Sequence, residues 1–111
     1  MSNQSDLNIP LSALNFSSDG AATAVAESWN TTQIGVLLQT VIEHHARQQL
    51  DAQALHFVSV TYDVSADVAS GPDVSFQSRI DRRTRTLIFA SGLASQGDRH
   101  LLKATVVFRL D

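Results

Sequence analysis

Apolar and polar residues alternate in two rhythms along this chain, and the change of rhythm divides it. Between residues 33 and 50, Ile34, Leu37, Leu38, Val41, Ile42 and Leu50 recur at spacings of three and four, the period of a helix with a buried face. Val36 lies off that stripe, so apolar surface covers more than one side. Asn30, Thr31 and Thr32 stand just ahead as candidate N-caps. From residue 58 onward the period is two. Val58, Val60, Tyr62 and Val64 oppose Ser59, Thr61 and Asp63; Val74, Phe76 and Ile80 oppose Ser75, Gln77 and Arg79. Leu102, Ala104, Val106, Phe108 and Leu110 oppose Lys103, Thr105 and Arg109. Leu87-Ile88-Phe89-Ala90 runs without alternation, as in a strand covered on both faces. Ser70-Gly71-Pro72-Asp73 and Gln96-Gly97-Asp98 read as turns, and strands joined by short turns are antiparallel neighbours.

The segment before the helix is less patterned. Residues 1–8 read as a polar tail, and residues 10–16, with Leu11, Leu14 and Phe16, as a short helical turn or an apolar plug. Ser17-Ser18-Asp19-Gly20 is expected to turn, with Gly20 able to take positive φ. Residues 21–29 set Val25 and Trp29 against small residues as a strand would, although their alanines favour helix. This divides the chain into a tail and apolar segment, residues 1–16, and one domain, residues 17–111. A helix apolar on more than one side must be wrapped, and only the following sheet is long enough to do it. The expected class is α+β, with an antiparallel sheet of about five strands curled around one long central helix.

Composition narrows the functions open to such a domain. At 111 residues, 43% hydrophobic and 17% charged, the chain has the content of a single globular core. A net charge of -3 argues against a nucleic-acid surface, which needs clustered Lys and Arg. Arg79, Arg82, Arg83 and Arg85 do cluster around Asp81, either as a solvated hairpin tip or as an anion contact. With no cysteine, disulfides, thiolate metal sites and cysteine nucleophiles are excluded together. No apolar run reaches the ~18 residues of a membrane span and the start lacks a signal-peptide pattern; the expected address is the cytoplasm, without nucleic-acid or membrane partners. A core this small is often completed by dimerisation.

The stretches Val58-Ser59-Val60-Thr61-Tyr62-Asp63, Gly71-Pro72-Asp73-Val74, Ile80-Asp81-Arg82-Arg83-Thr84-Arg85-Thr86 and Ala104-Thr105-Val106-Val107-Phe108-Arg109 resemble the sheet of small thioesterase-like proteins of the hotdog fold. Asp19-Gly20-Ala21-Ala22-Thr23 resembles the entry to their first strand. The resemblance implies an acyl-CoA or acyl-carrier-protein thioester, or another small acyl or aryl ligand, and a homodimer or homotetramer with its ligand tunnel at the subunit interface. No cofactor and no metal are expected. The family's His-Gly-Gly before the helix is represented only by Ile34-Gly35-Val36. Counting from Gly35, the family's acidic base or nucleophile falls on Glu43.

Glu43 lies about 180° from Ile34 on a helical wheel, beside Val36, Gln39 and Arg47. It is either the catalytic carboxylate or a surface residue paired with Arg47 at i,i+4. Asn30 and Gln33 either cap the helix or, with the Gln33 and Gly35 backbone N–H groups, hold a thioester oxygen. Gly35 costs helix propensity, which suggests close approach of another backbone or a ligand. Tyr62 and Trp29 are either core or pocket lining. His44 and His45 diverge by about 100° on a helix and cannot readily share a metal. His45 falls on the apolar stripe, at the core edge or as a base. Hydrolysis of an acyl thioester is the first expectation, and a non-catalytic dimer that binds an acyl ligand or acts as a scaffold is the alternative.

Overall fold

The computed structural model describes residues 14–18, 20–25, 29–50, 53–68 and 73–111. The expectations for residues 1–13 and for Ser70-Gly71-Pro72 fall outside the described residues. In chain order the elements are β1 (Asn15–Ser18), β2 (Ala21–Ala24), α1 (Thr31–Arg47), β3 (Leu55–Val64), β4 (Val74–Arg83), β5 (Leu87–Gln96) and β6 (Arg99–Leu110). All strand pairs are antiparallel, in one sheet of order β1-β2-β4-β5-β6-β3. This is the expected architecture with one strand more. Asn15 and Phe16 pair with Thr23 and Ala22, where a helical turn or plug had been expected. The reversal at Gly20, whose φ is 76°, is tight enough to leave Ser17 and Ser18 in the strand.

Pairing follows burial rather than chain order. β3 does not form a hairpin with β4 but lies at the far edge, against β6. There Phe57, Val60, Tyr62 and Val64 stand opposite Phe108, Val106, Ala104 and Leu102, continuing the apolar inner face. A bulge between Phe57 and Ser59 displaces Val58 from the face its alternation implies and sets Phe57 there instead. The Phe57 and Phe108 ring centroids are 4.8 Å apart.

Helix α1 lies across β4, β5 and β6. It buries Ile34, Gly35, Leu37, Leu38, Val41, Ile42 and Ala46 against Phe76, Ile88, Ala90, Leu102, Val106 and Phe108 in one core. A Cβ on Gly92 would come within 2.8 Å of Ile42 and 2.9 Å of Leu38, so the missing side chain lets the helix sit directly on the middle strand. The unpatterned run in β5 belongs to this position: Ile88 and Ala90 are buried under the helix, while Leu87 and Phe89 are half-covered on the other face. The helix ends at Arg47, short of Leu50. The chain's own sheet covers one broad side of it. Val36, Gln39, Thr40 and Glu43 stay partly exposed, so the wrapping expected on several sides is incomplete within one chain.

Candidate active site

The entrance to α1 is built by its cap. Asn30 Oδ1 accepts a hydrogen bond from the Gln33 backbone N–H at 2.9 Å, and Gln33 Oε1 accepts one from the Asn30 N–H at 2.9 Å. This reciprocal capping box satisfies two donors that a helix start otherwise leaves open. The Gln33 N–H is thereby committed to Asn30, and the Ile34 N–H bonds to Asn30 O at 3.1 Å. The expectation that the Gln33 backbone N–H holds a substrate oxygen therefore gives way to capping.

One turn on, the helix meets β3. Gly35 is buried, and a Cβ there would lie 3.3 Å from Tyr62 Cε1. What approaches Gly35 is this ring from the chain's own edge strand, not a backbone. The Tyr62 hydroxyl lies 2.7 Å from Gln39 Oε1 and 3.3 Å from Gly35 O. Burial pushes the Tyr62 phenol above its ordinary value of 10.0, so it is a hydrogen-bond donor at neutral pH. Gly35, Gln39 and Glu43 follow one another at i,i+4 and share a helix face. The structure thus gathers Gly35, Tyr62 and Gln39, places Glu43 one turn further along, and leaves Asn30 and Gln33 at the helix end. Gln39 was not singled out by sequence; its spacing of four from both Gly35 and Glu43 was the available signal.

Glu43 is half-buried and held from one side. Arg47 Nε and Nη2 both donate to its Oε2, at 3.1 and 2.7 Å, while Oε1 accepts from no group among the described residues. The i,i+4 ion pair expected on the helix surface is therefore present, and it leaves one carboxylate oxygen for a water or ligand. Along the axis Glu43 lies about 12 Å from Gly35 at 1.5 Å per residue. A carbonyl at the helix start and a base at Glu43 therefore cannot serve one reaction centre within one chain. Gln39, about 6 Å from Glu43 on the same scale, can.

The remaining candidates lie elsewhere. His45 Nδ1 is 3.0 Å from Ser78 Oγ, on the side where Gly20 approaches, and the His44 ring lies 4.3 Å from that of Phe16. His56 pairs with Asp111 at 2.7 Å, and Trp29 packs against the core. Of the basic cluster, Arg79 pairs with Asp81 at 2.7 Å and Arg83 donates to Gln49 O at 2.7 Å, just beyond the helix. A groove of about 630 Å³ lined by Gln77, Arg79, Ser91, Leu93 and Lys103 opens on the sheet face opposite α1, so it gives no route to Glu43. Among the described residues no cluster of three His, Asp or Glu side chains could hold a metal, and no helix is long and apolar enough to cross a membrane.

The sequence matches no protein-family profile and no curated protein. Its fold is similar to solved structures. A conserved protein from Pseudomonas aeruginosa superposes with a TM-score of 0.79 at 16% identity, covering 100% of this chain and 95% of that one. A thioesterase family protein from Silicibacter pomeroyi gives 0.74 at 14% identity, covering 96% and 93%. A Streptococcus mutans protein bound to acetyl CoA gives 0.76 at 11% identity, covering 88% and 86%. Carried by one helix on an antiparallel sheet, this chain has the hotdog fold that these structures share.

Proposed function

We propose that this protein hydrolyses acyl thioesters, with Glu43 as general base. The observation that carries the reading is a half-buried carboxylate with one free oxygen, on the same helix face as Gly35 and one turn beyond Gln39. Glu43 takes a proton from water as the water oxygen attacks the thioester carbonyl. The tetrahedral intermediate then expels the thiolate, which takes up a proton, and the carboxylic acid leaves. The acetyl CoA in the Streptococcus mutans structure supports CoA as the carrier. The test is thiol release from short, long and aromatic acyl-CoAs, with turnover expected on at least one of them. The alternative, a non-catalytic module that binds an acyl ligand, is favoured by the capping box, which commits the helix entrance to structure. Acyl-CoA binding without thiol release would select it.

The reading also includes a homodimer. β3 is ten residues long, forms a sheet edge, and exposes Phe57, Val58, Tyr62 and Val64. A long apolar edge strand is a template for pairing with a second chain. Pairing two copies there would cover these side chains and close a wall over the Tyr62–Gln39–Glu43 face. In sedimentation velocity at micromolar concentration the protein is expected at twice 12.0 kDa. The double variant Val58→Lys, Val64→Lys is expected to sediment as a monomer. A wild-type monomer under those conditions would remove the interfacial site.

A further inference from the structure

We propose that the Gln39 side-chain amide is the donor that binds the thioester carbonyl, and that Tyr62 is the positioning residue that aims it. The proposal rests on the reading of the Gly35–Glu43 face as an acyl-thioester site. The Tyr62 hydroxyl has one proton to give and two acceptors within reach, at 2.7 Å for Gln39 Oε1 and 3.3 Å for Gly35 O. The shorter contact takes it, with Oε1 as the end of the amide that faces the ring. Nε2 is then the outward end, and it donates to no group among the described residues.

A helix-borne amide is free to rotate unless something holds it, and Tyr62 is that holder. The ring reaches Gln39 because Gly35 carries no side chain in its path, a Cβ there coming within 3.3 Å of Tyr62 Cε1. Gln39 and Glu43, which carry the free N–H groups and the free Oε1, lie one helical turn apart, about 6 Å along the backbone axis. A thioester carbonyl held by the first brings its carbon within reach of a water held by the second. As the water attacks, the carbonyl oxygen gains negative charge and its hydrogen bond to Nε2 strengthens, which is how a prepositioned donor lowers a barrier. The capped helix entrance cannot supply that donor to the same carbonyl within one chain.

The test compares two CoA analogues that cannot be hydrolysed. In acetyl-carba(dethia)-CoA a methylene replaces the sulfur and the carbonyl stays in place; S-ethyl-CoA has no carbonyl. Calorimetry on the wild type should give about tenfold tighter binding of the carbonyl analogue, the size of one well-made hydrogen bond. Gln39→Met, matched in length and helix propensity, should abolish that preference. It should also lower kcat for thiol release by about 100-fold and raise KM by up to about tenfold, the share of the contact already made in the ground state. Tyr62→Phe keeps the ring and should lose most of the preference, carrying the test if Gln39→Met melts early. If Gln39→Met keeps the preference while Glu43→Gln is inactive, the role of Gln39 is overturned and the thioesterase reading stands. If the wild type binds neither analogue and releases no thiol, both fall.

Discussion

Glu43→Gln is expected to lower kcat for thiol release by about 100-fold or more, with the melting temperature nearly unchanged. The amide keeps the size of the side chain but cannot take the proton of an attacking water, and general-base catalysis typically contributes about 10²- to 10⁴-fold. The fold has little to lose, because the pair with Arg47 is a partly exposed i,i+4 contact, a type worth a few tenths of a kcal/mol. Arg47→Met separates the two roles of that pair. It should leave most of kcat intact, since Oε1 is the oxygen available for catalysis and Arg47 grips only Oε2. A Glu43→Gln enzyme with undiminished turnover would return the carboxylate to a surface role.

The second large effect is on stability. Phe108→Ala is expected to cost about 3–5 kcal/mol, read from the midpoint of chemical denaturation. Phe108 is fully buried, pairs with Ile88 on one side and Phe57 on the other, and so links the middle of the sheet to its edge strand. A cavity there should also loosen β3, so dimerisation should weaken in the same variant. Thr105→Ala, on the exposed face of the same strand, should stay within about 0.5 kcal/mol. A loss below about 1 kcal/mol for Phe108→Ala would mean the core repacks around the gap and that β3 is held by other contacts.

The helix and the last strand were legible in sequence because each buries one face against a single partner layer, whereas β3 alternates but leaves most of its apolar residues exposed. Ile34, Leu37, Leu38, Val41 and Ile42 are all buried where their spacing places them, as are Leu102, Ala104, Val106, Phe108 and Leu110. Strand order was not legible. Alternation says which residues face inward but not which strand lies beside which, so the placement of β3 against β6 depends on the packing of α1. The bulge at Val58 was hidden for a related reason: either Val58 or Phe57 satisfies an apolar inner face. At the candidate site, sequence offered Asn30 and Gln33 as caps or ligand groups, and the structure shows both in a reciprocal cap. Gln39 went unnoticed because a lone glutamine on a helix carries no signal until its neighbour from another strand is known.

The strand order also dictates a sequence of events during synthesis. β3 leaves the ribosome long before β6, its only sheet partner among the described residues, and the last residue of β3 precedes the first of β6 by 35 positions, from Val64 to Arg99. At about 5–20 residues per second, the nascent chain carries Phe57, Val60, Tyr62 and Val64 unpaired for roughly two to seven seconds. β4 and β5 can form their hairpin in that time and give α1 a partial seat, but β3 has nowhere native to dock. The native sheet therefore closes from its C-terminal strand inward. A chain cut short before residue 99 should present two unsatisfied apolar surfaces at once, the inner face of β3 and the flank of β5, and go to aggregates rather than to a smaller folded core.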